Sequence, residues 1–242
     1  MPIPQSDARL FEIMYTTRAM RRLKPDPVPQ ELLEQLVEAA LHAPSGSNAQ
    51  NWRFVIVRDR AQKQKIQAIW RKTWGFYLET FAAADLRPGE TPEDRKKGTK
   101  AGTDLLESLA EVPALICICV ARDEQLAKAL ASPATIKKIV SHFGVAGAAK
   151  FAASGMRVGG MADGSTAYPA VQNLLLAARA LGLGAVLTTQ HFFVPGQFEA
   201  VLGLPSTVTL AAIVPVGYPK GKFGPVRRPT PSEVISWDRY GG

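Results

Sequence analysis

"STAYPAVQNLLLAARALGLGAVLTT", residues 165–189, changes its hydrophobic period halfway along. Ala167, Val171, Leu174, Ala178 and Leu181 recur at intervals of four, three, four and three, which is one face of a helix. Ser165 or Thr166 can cap its start and Gly182 is a natural stop. The β-branched run "AVLTT" then reads as a short strand that follows at once. A helix passing directly into a strand, with no βα repeat around it, points to an α+β architecture.

The flanking sequence extends that pattern in both directions. In residues 30–42, "QELLEQLVEAALH", Leu32, Leu36 and Ala40 form one stripe with Leu33 and Val37 beside it, and Pro29 suits a helix start. Phe54 to Val57 read as a strand, and Asp59 is a plausible cap for the helix "RAQKQKIQAIWRKTW". From Phe76 to Ser108 the pattern weakens around "LRPGETPEDRKKGTK", so residues 70–110 are expected to form a mobile excursion over one face, or a lid. Residues 112–121 carry a continuous apolar run and read as a strand buried on both faces. Residues 123–160 are Ala- and Gly-rich with helical pieces, and a helical turn from Pro195 to Leu202 precedes a strand from Val208 to Tyr218.

Length and composition narrow the class. At 242 residues, with 46% hydrophobic and 21% charged residues, the chain suits a single globular domain spanning 1–242. No apolar run approaches the roughly 20 residues needed to cross a bilayer. The N-terminus lacks a secretory pattern, so a cytoplasmic location with no membrane association is expected. Cys117 and Cys119 fall on one face of a strand as core thiols, and the three histidines follow no zinc spacing, so no metal is expected. The net charge of +8 suits an anionic ligand or a nucleic acid. Its positive residues cluster in "TTRAMRRLK", "RKKGTK" and "PKGKFGPVRRP", without the basic stripe and interleaved aromatics of a nucleic-acid binder.

Chemistry concentrates in four stretches: "TTRAMRRLKPDPVP", "APSGSNAQNW", "AVLTTQHF" and "VGYPKGKFGPVRRP". None holds a nucleophile elbow or a P-loop, and "GLGAVL" lacks both the third glycine and the strand-to-helix context of a dinucleotide fingerprint. Arg18, Arg21 and Arg22 lie within about one helical turn, so two can face one pocket and grip a phosphate. "APSGSNAQNW", residues 43–52, spends ten residues where a plain helix-to-strand connection needs about half that number, and supplies short donors with close backbone approach.

Taken in order, these motifs resemble the FMN-dependent nitroreductase family, including its iodotyrosine deiodinase-like branch. The resemblance runs through Thr17 to Arg21, Val28-Pro29, Ala43 to Trp52, Gln172 to Gly184, Thr188-Thr189, and Gly217 to Pro219 with Arg227-Arg228. It departs at Thr17 and Ala19, where the family carries Arg and Ser, and at Asn51, where Q-P-W is common. It implies a sandwich with a small mixed sheet packed with helices, and an intertwined homodimer binding FMN at each subunit interface. Arg18, Ala19, Met20, Arg21, Arg22 and Arg227 would then serve the phosphate and the flavin edge. Ser45, Ser47 and Asn48 would lie against the flavin, and Thr188, Thr189 and Gln190 beside its ring.

The activity implied is ping-pong reduction of a small-molecule electron acceptor, such as a nitroaromatic or a quinone, with NADPH or NADH as reductant. Arg21 and Thr189 would tune the cofactor, and no side chain need act as an acid or base. The alternatives are a specialised enzyme such as a reductive dehalogenase, whose lid would clamp a zwitterion through residues such as Tyr77, Glu79 and Lys97, or a non-catalytic flavin-binding protein.

Overall fold

The computed structural model describes residues 9–241; for Leu126 and residues 155–162 it describes the backbone alone. The N-terminal stretch read for a secretory signal therefore lies largely outside the described residues. Four strands form one sheet: β1 (Trp52–Val57), β2 (Ala114–Ala121), β3 (Gly184–Ala185) and β4 (Val208–Gly217), in the order β1-β2-β4-β3. All three pairings are antiparallel, where a mixed sheet was expected; the α+β class holds. The register between β2 and β4 slips once, between Ile118 and Cys119.

Alternation along β2 explains the two layers. Ala114, Ile116, Ile118 and Val120 face a core shared with Leu33, Leu36 and Ala40 of helix α2 (Gln30–Leu41) and with Val171, Leu174 and Ala178 of helix α6 (Pro133–Ala180). Leu115, Cys117 and Cys119 face the opposite core, with Ile66 and Trp70 of α3 (Arg60–Glu79), Leu105 of α4 (Pro92–Glu107) and Phe198 of α7 (Gln197–Leu202). Every residue of β2 from Ala114 to Val120 is buried, which is why its sequence is apolar throughout. Both thiols sit in this core, and burial pushes the Cys119 thiol up to about 12, so neither is a nucleophile at neutral pH.

Local signals account for the helix ends. Asp59 caps α3 by accepting from the Gln62 amide at 2.7 Å. α6 ends in paired bonds, Gly182 N to Arg179 O at 3.2 Å and Leu183 N to Ala178 O at 2.7 Å, with Gly182 at φ 73°. Two expectations fail. Ser165 and Thr166 do not cap a helix, because α6 runs through them from a start capped by Ser132, with an interruption at Gly144 (φ 70°, ψ 173°). The stretch expected as a weakly patterned excursion is built mainly of α3 and α4, and α4 opens with a reciprocal Thr91–Asp94 capping box. Its apolar residues are few because only one face of α4, through Gly102, Leu105 and Leu106, reaches the core.

Candidate functional site

Helix α1 (Leu10–Thr16) stops before the arginine-rich stretch, which continues in extended form. Met20 N donates to Ala185 O (3.0 Å), Lys24 N to Tyr218 O (2.7 Å) and Lys220 N to Arg22 O (2.9 Å), so the segment is sewn between β3 and the end of β4. The arginines are therefore not arranged on a helical turn. Close packing here requires Gly184: a Cβ at that position would lie 2.8 Å from Leu23 Cδ2 and 3.0 Å from Met20 Cβ. Arg18, Ala19, Met20, Arg21 and Arg22 line a groove of about 350 Å³ together with Lys220 and Lys222. Met20 is buried, whereas Arg18 and Arg22 are exposed and Arg22 is drawn toward Asp104 at 3.2 Å.

Arg21 also lines a second cavity of about 310 Å³. Trp70, Trp74, Tyr77 and Phe81 supply its aromatic wall, and Thr188, Thr189 and Gln190 its sheet side. The Trp74 and Tyr77 rings stack with centroids 4.9 Å apart and planes 15° apart, and Tyr77 stacks on Phe81 at 6.0 Å. Arg21 makes no hydrogen bond or ion pair among the described residues. Burial lowers its guanidinium pKa, with Tyr77 opposing the shift. A half-buried cation without a carboxylate is an invitation to an anion or to an electron-rich ring edge. On the sheet side, the Thr188 hydroxyl is committed to Ile213 O (2.9 Å) within a β-bridge. The Thr189 hydroxyl makes no hydrogen bond among the described residues, and Gln190 Oε1 is buried without a partner.

The "APSGSNAQNW" loop stands apart from both. Ser47, Asn48 and Gln50 adopt left-handed backbone conformations (φ 51°, 53° and 47°), rare for side-chain-bearing residues and concentrated here within four positions. Ser45 Oγ accepts from Gln50 N at 3.1 Å, and Gln50 Nε2 donates to Asn48 Oδ1 at 2.9 Å. Trp52 anchors the loop by donating to Thr166 O at 2.9 Å, and Asn51 Nδ2 donates to Ala121 O at 2.7 Å, a side-chain bond that a proline there could not make. Ser47 lines a third cavity of about 500 Å³ with Asn51, Arg122, Asp163 and Thr166.

One chain thus unites Arg18–Arg22 with Thr188–Gln190 and leaves Ser45, Ser47 and Asn48 elsewhere. Arg227, exposed on the C-terminal segment, lines none of these cavities and lies close enough to Asp94 to help lower that carboxyl's pKa, behind the larger contribution of Thr91. The sequence reading missed Trp70 and Trp74, whose spacing along α3 also serves the core, and Phe81 just beyond the end of α3, and left Lys220 and Lys222 as unassigned charge. The cations of the groove and the aromatic, hydrogen-bonding cavity sharing Arg21 suit a planar polar ring with an anionic tail. No cluster of His, Cys, Asp and Glu able to hold a metal occurs among the described residues.

Comparison with known proteins bears on the fold and the family. The Nitroreductase family model matches residues 14–218. A "NADH dehydrogenase" of Thermus thermophilus is 30% identical over 97% of this chain and 98% of its own length. An iodotyrosine deiodinase of Thermotoga neapolitana is 26% identical over 87% of this chain and 88% of its own. Among solved structures, oxidized iodotyrosine deiodinase bound to FMN and 3-iodo-L-tyrosine superposes with a TM-score of 0.64 at 24% identity, covering 96% of this chain and all of the other. The NADPH:FMN oxidoreductase of Vibrio harveyi gives 0.60 at 17% identity, over 96% and 78% of the two chains. With a family match across most of its length and a relative at 30% identity end to end, this chain belongs to the nitroreductase family.

Proposed function

We propose that the protein is an FMN-dependent oxidoreductase that uses NADH or NADPH to reduce a planar acceptor, acting as a cytoplasmic homodimer. The observation that carries this reading is Arg21, which belongs at once to the basic groove and to the aromatic cavity. The groove's Arg18, Arg22, Lys220 and Lys222 would hold the FMN phosphate. Arg21 would meet the electron-rich edge of the ring, and Thr188–Gln190 its central atoms. Bound there, FMN would supply two-electron chemistry, accepting hydride from the nicotinamide and passing reducing equivalents to the acceptor.

The chain's own groups orient and tune. A cation fixed at the ring edge favours the reduced, more negative form, and being half-buried it acts through a lower dielectric than water would provide. The Thr189 hydroxyl can donate into the cavity because no other group among the described residues takes it. The Ser45–Asn48 loop cannot join Arg21 within one chain, so its contact with the same ligand would come from a second copy, which supports the homodimer and a composite site.

Both carboxylates lining the aromatic cavity accept hydrogen bonds internally: Glu90 from Arg95, and Asp94 from the Thr91 hydroxyl and amide. Of the zwitterion-clamp residues expected from the sequence, Tyr77 lines the cavity, while Lys97 pairs with Glu93 at 3.6 Å and neither Glu79 nor Lys97 lines it. A neutral or anionic planar acceptor fits better than an amino acid.

The test is to purify the protein, count flavin per chain, and add NADH or NADPH without oxygen. One FMN per chain that bleaches on addition and recovers with a quinone is the expected result. Flavin that stays oxidised would make the protein a carrier, and colourless protein that does not take up added FMN would overturn the reading altogether.

A further inference from the structure

Between α3 and α4 the chain crosses the mouth of the aromatic cavity, and a single side chain organises that crossing. Arg95 Nε and Nη2 grip the two Glu90 oxygens at 3.2 and 2.6 Å, Nη1 donates to Ala82 O at 3.3 Å and to Ala84 O, and Nη2 donates to Asp85 O at 2.9 Å. All five N–H groups of the guanidinium are thereby used. The Glu90 carboxylate in turn accepts from the Arg87 amide at 3.0 Å. The pair is shielded, with side chains 17% and 23% exposed, unlike the Arg71–Glu107 pair at 54% and 59%. On either side, the Thr91–Asp94 capping box holds the start of α4, and Gly102 lies so close to Trp74 that a methyl group there would collide with the ring. Phe81, Arg87 and Glu90 of this crossing all line the cavity.

We infer that Arg95 is a positioning residue that shapes the acceptor pocket, holding residues 81–91 in place before any acceptor arrives, so that specificity is set by a preformed cavity and not by a lid folding onto its substrate. This deepens the proposed function and rests on it for the identity of the pocket's occupant. A loop held by five hydrogen bonds from one buried-side group has already lost the freedom that a closing lid must lose on binding. Lysine cannot replace it, since its three donors on a point charge cannot span Glu90 and three carbonyls. Glu90 is neutralised by Arg95, while Asp94, bonded to the neutral Thr91, keeps its charge, so the lining sets the cations Arg21 and Arg87 against one carboxylate and remains net positive. The preformed pocket therefore selects planar acceptors with anionic or electron-rich oxygens, such as p-nitrobenzoate.

Hydrogen exchange of residues 81–91 in the FMN-loaded protein separates the two behaviours. Wild type should exchange slowly with or without p-nitrobenzoate or 3-iodo-L-tyrosine. Arg95→Met should exchange about tenfold faster, and Arg95→Lys should fall between. In turnover, Arg95→Met should raise KM for p-nitrobenzoate about tenfold while kcat moves less than about twofold. Wild-type exchange that slows more than about tenfold with either ligand would establish a closing lid and overturn the proposal, as would unchanged exchange in Arg95→Met. A wild-type protein that bleaches with neither nicotinamide would defeat the proposed function and leave the exchange comparison to decide the role of Arg95.

Discussion

Arg21 and Arg95 face the same cavity and are treated in opposite ways. Arg95 is matched in full: Glu90 and three backbone carbonyls take its donors, and its guanidinium pKa is raised, first by the bond to Glu90. Arg21 is half-buried beside Trp70, Trp74 and Tyr77 without a carboxylate, and burial lowers its pKa. A buried cation left unmatched is a cost to folding, whereas a matched one organises the chain around it. On the proposed function the two divide the work: Arg95 holds the wall and Arg21 meets the ligand.

The sharpest way to break this contrast is Arg21→Met. It should slow flavin reduction by NADH by about two to three powers of ten, the range for removing one preorganised electrostatic group, and leave the apo protein's melting temperature unchanged or higher. A large loss of apo stability would place Arg21 with Arg95 as architecture.

His191 extends the comparison to pH. Buried at 3% exposure next to Gln190, it has its pKa lowered to about 4 by burial, with the Leu210 backbone opposing. The unfolded chain protonates this histidine near 6.5, so the folded state loses stability as pH falls from about 6.5 toward 4 and is unaffected above that window. The loss is on the order of 3 kcal/mol. Denaturant titrations of wild type and His191→Phe from pH 7 to pH 4 should diverge by that amount, and parallel curves would show that the imidazole is solvated. Glu90 behaves oppositely to an unmatched group. Its hydrogen bond from Arg95, then that from Arg87, lower its pKa to about 2, so its contribution is fully present above the ordinary value of 4.5 and is lost progressively as pH falls from there toward 2.

Arg18→Ala should weaken FMN by about tenfold, the lower end for a charge-assisted bond from an exposed side chain, and leave riboflavin affinity unchanged. Arg227→Ala should do less, because its guanidinium lies near Asp94 and outside the groove. Equal losses for FMN and riboflavin would assign either residue to the fold. The smallest change is Thr189→Val. With Thr188 tied to Ile213, the Thr189 hydroxyl is the one predicted to act, and its removal should slow one half-reaction a few-fold, roughly what one neutral hydrogen bond is worth, with FMN content and melting temperature preserved. Wild-type rates in both half-reactions would move the role to Gln190.

Much of this molecule was legible in advance. Helix α2, the helical stripe from Ala167 to Leu181, the Asp59 cap and the strand runs follow from periods of 3.6 and 2, which the core imposes on neighbouring residues. The arginine cluster, "APSGSNAQNW" and "LTTQ" stood out as candidate site segments because, taken in order, they resemble the nitroreductase family; on residue type alone the arginines and the threonines suit an ordinary basic helix end and a strand. Helix α4 was not legible, since one buried stripe among lysines and glutamates is a weak signal, and its capping box lies within a stretch rich in turn residues. Nor was the end of the helix before Arg18, since nothing local distinguishes a basic helix turn from a basic strand.

What the sequence determined by itself were the strongly periodic elements, α2, the C-terminal part of α6 and the longer strands, because each depends on residues within a few positions of one another. Only the tertiary structure decided which cations are matched. Arg21 stands 56 positions before the Tyr77 it faces, and Arg95 closes a loop whose carbonyls carry no side-chain signature. Likewise, the separation of the Ser45–Asn48 loop from Arg21 emerges only in the fold, which puts Ser47 at one cavity and Arg21 at another. Whether a charge is satisfied depends on three-dimensional proximity and dielectric, which no local pattern encodes.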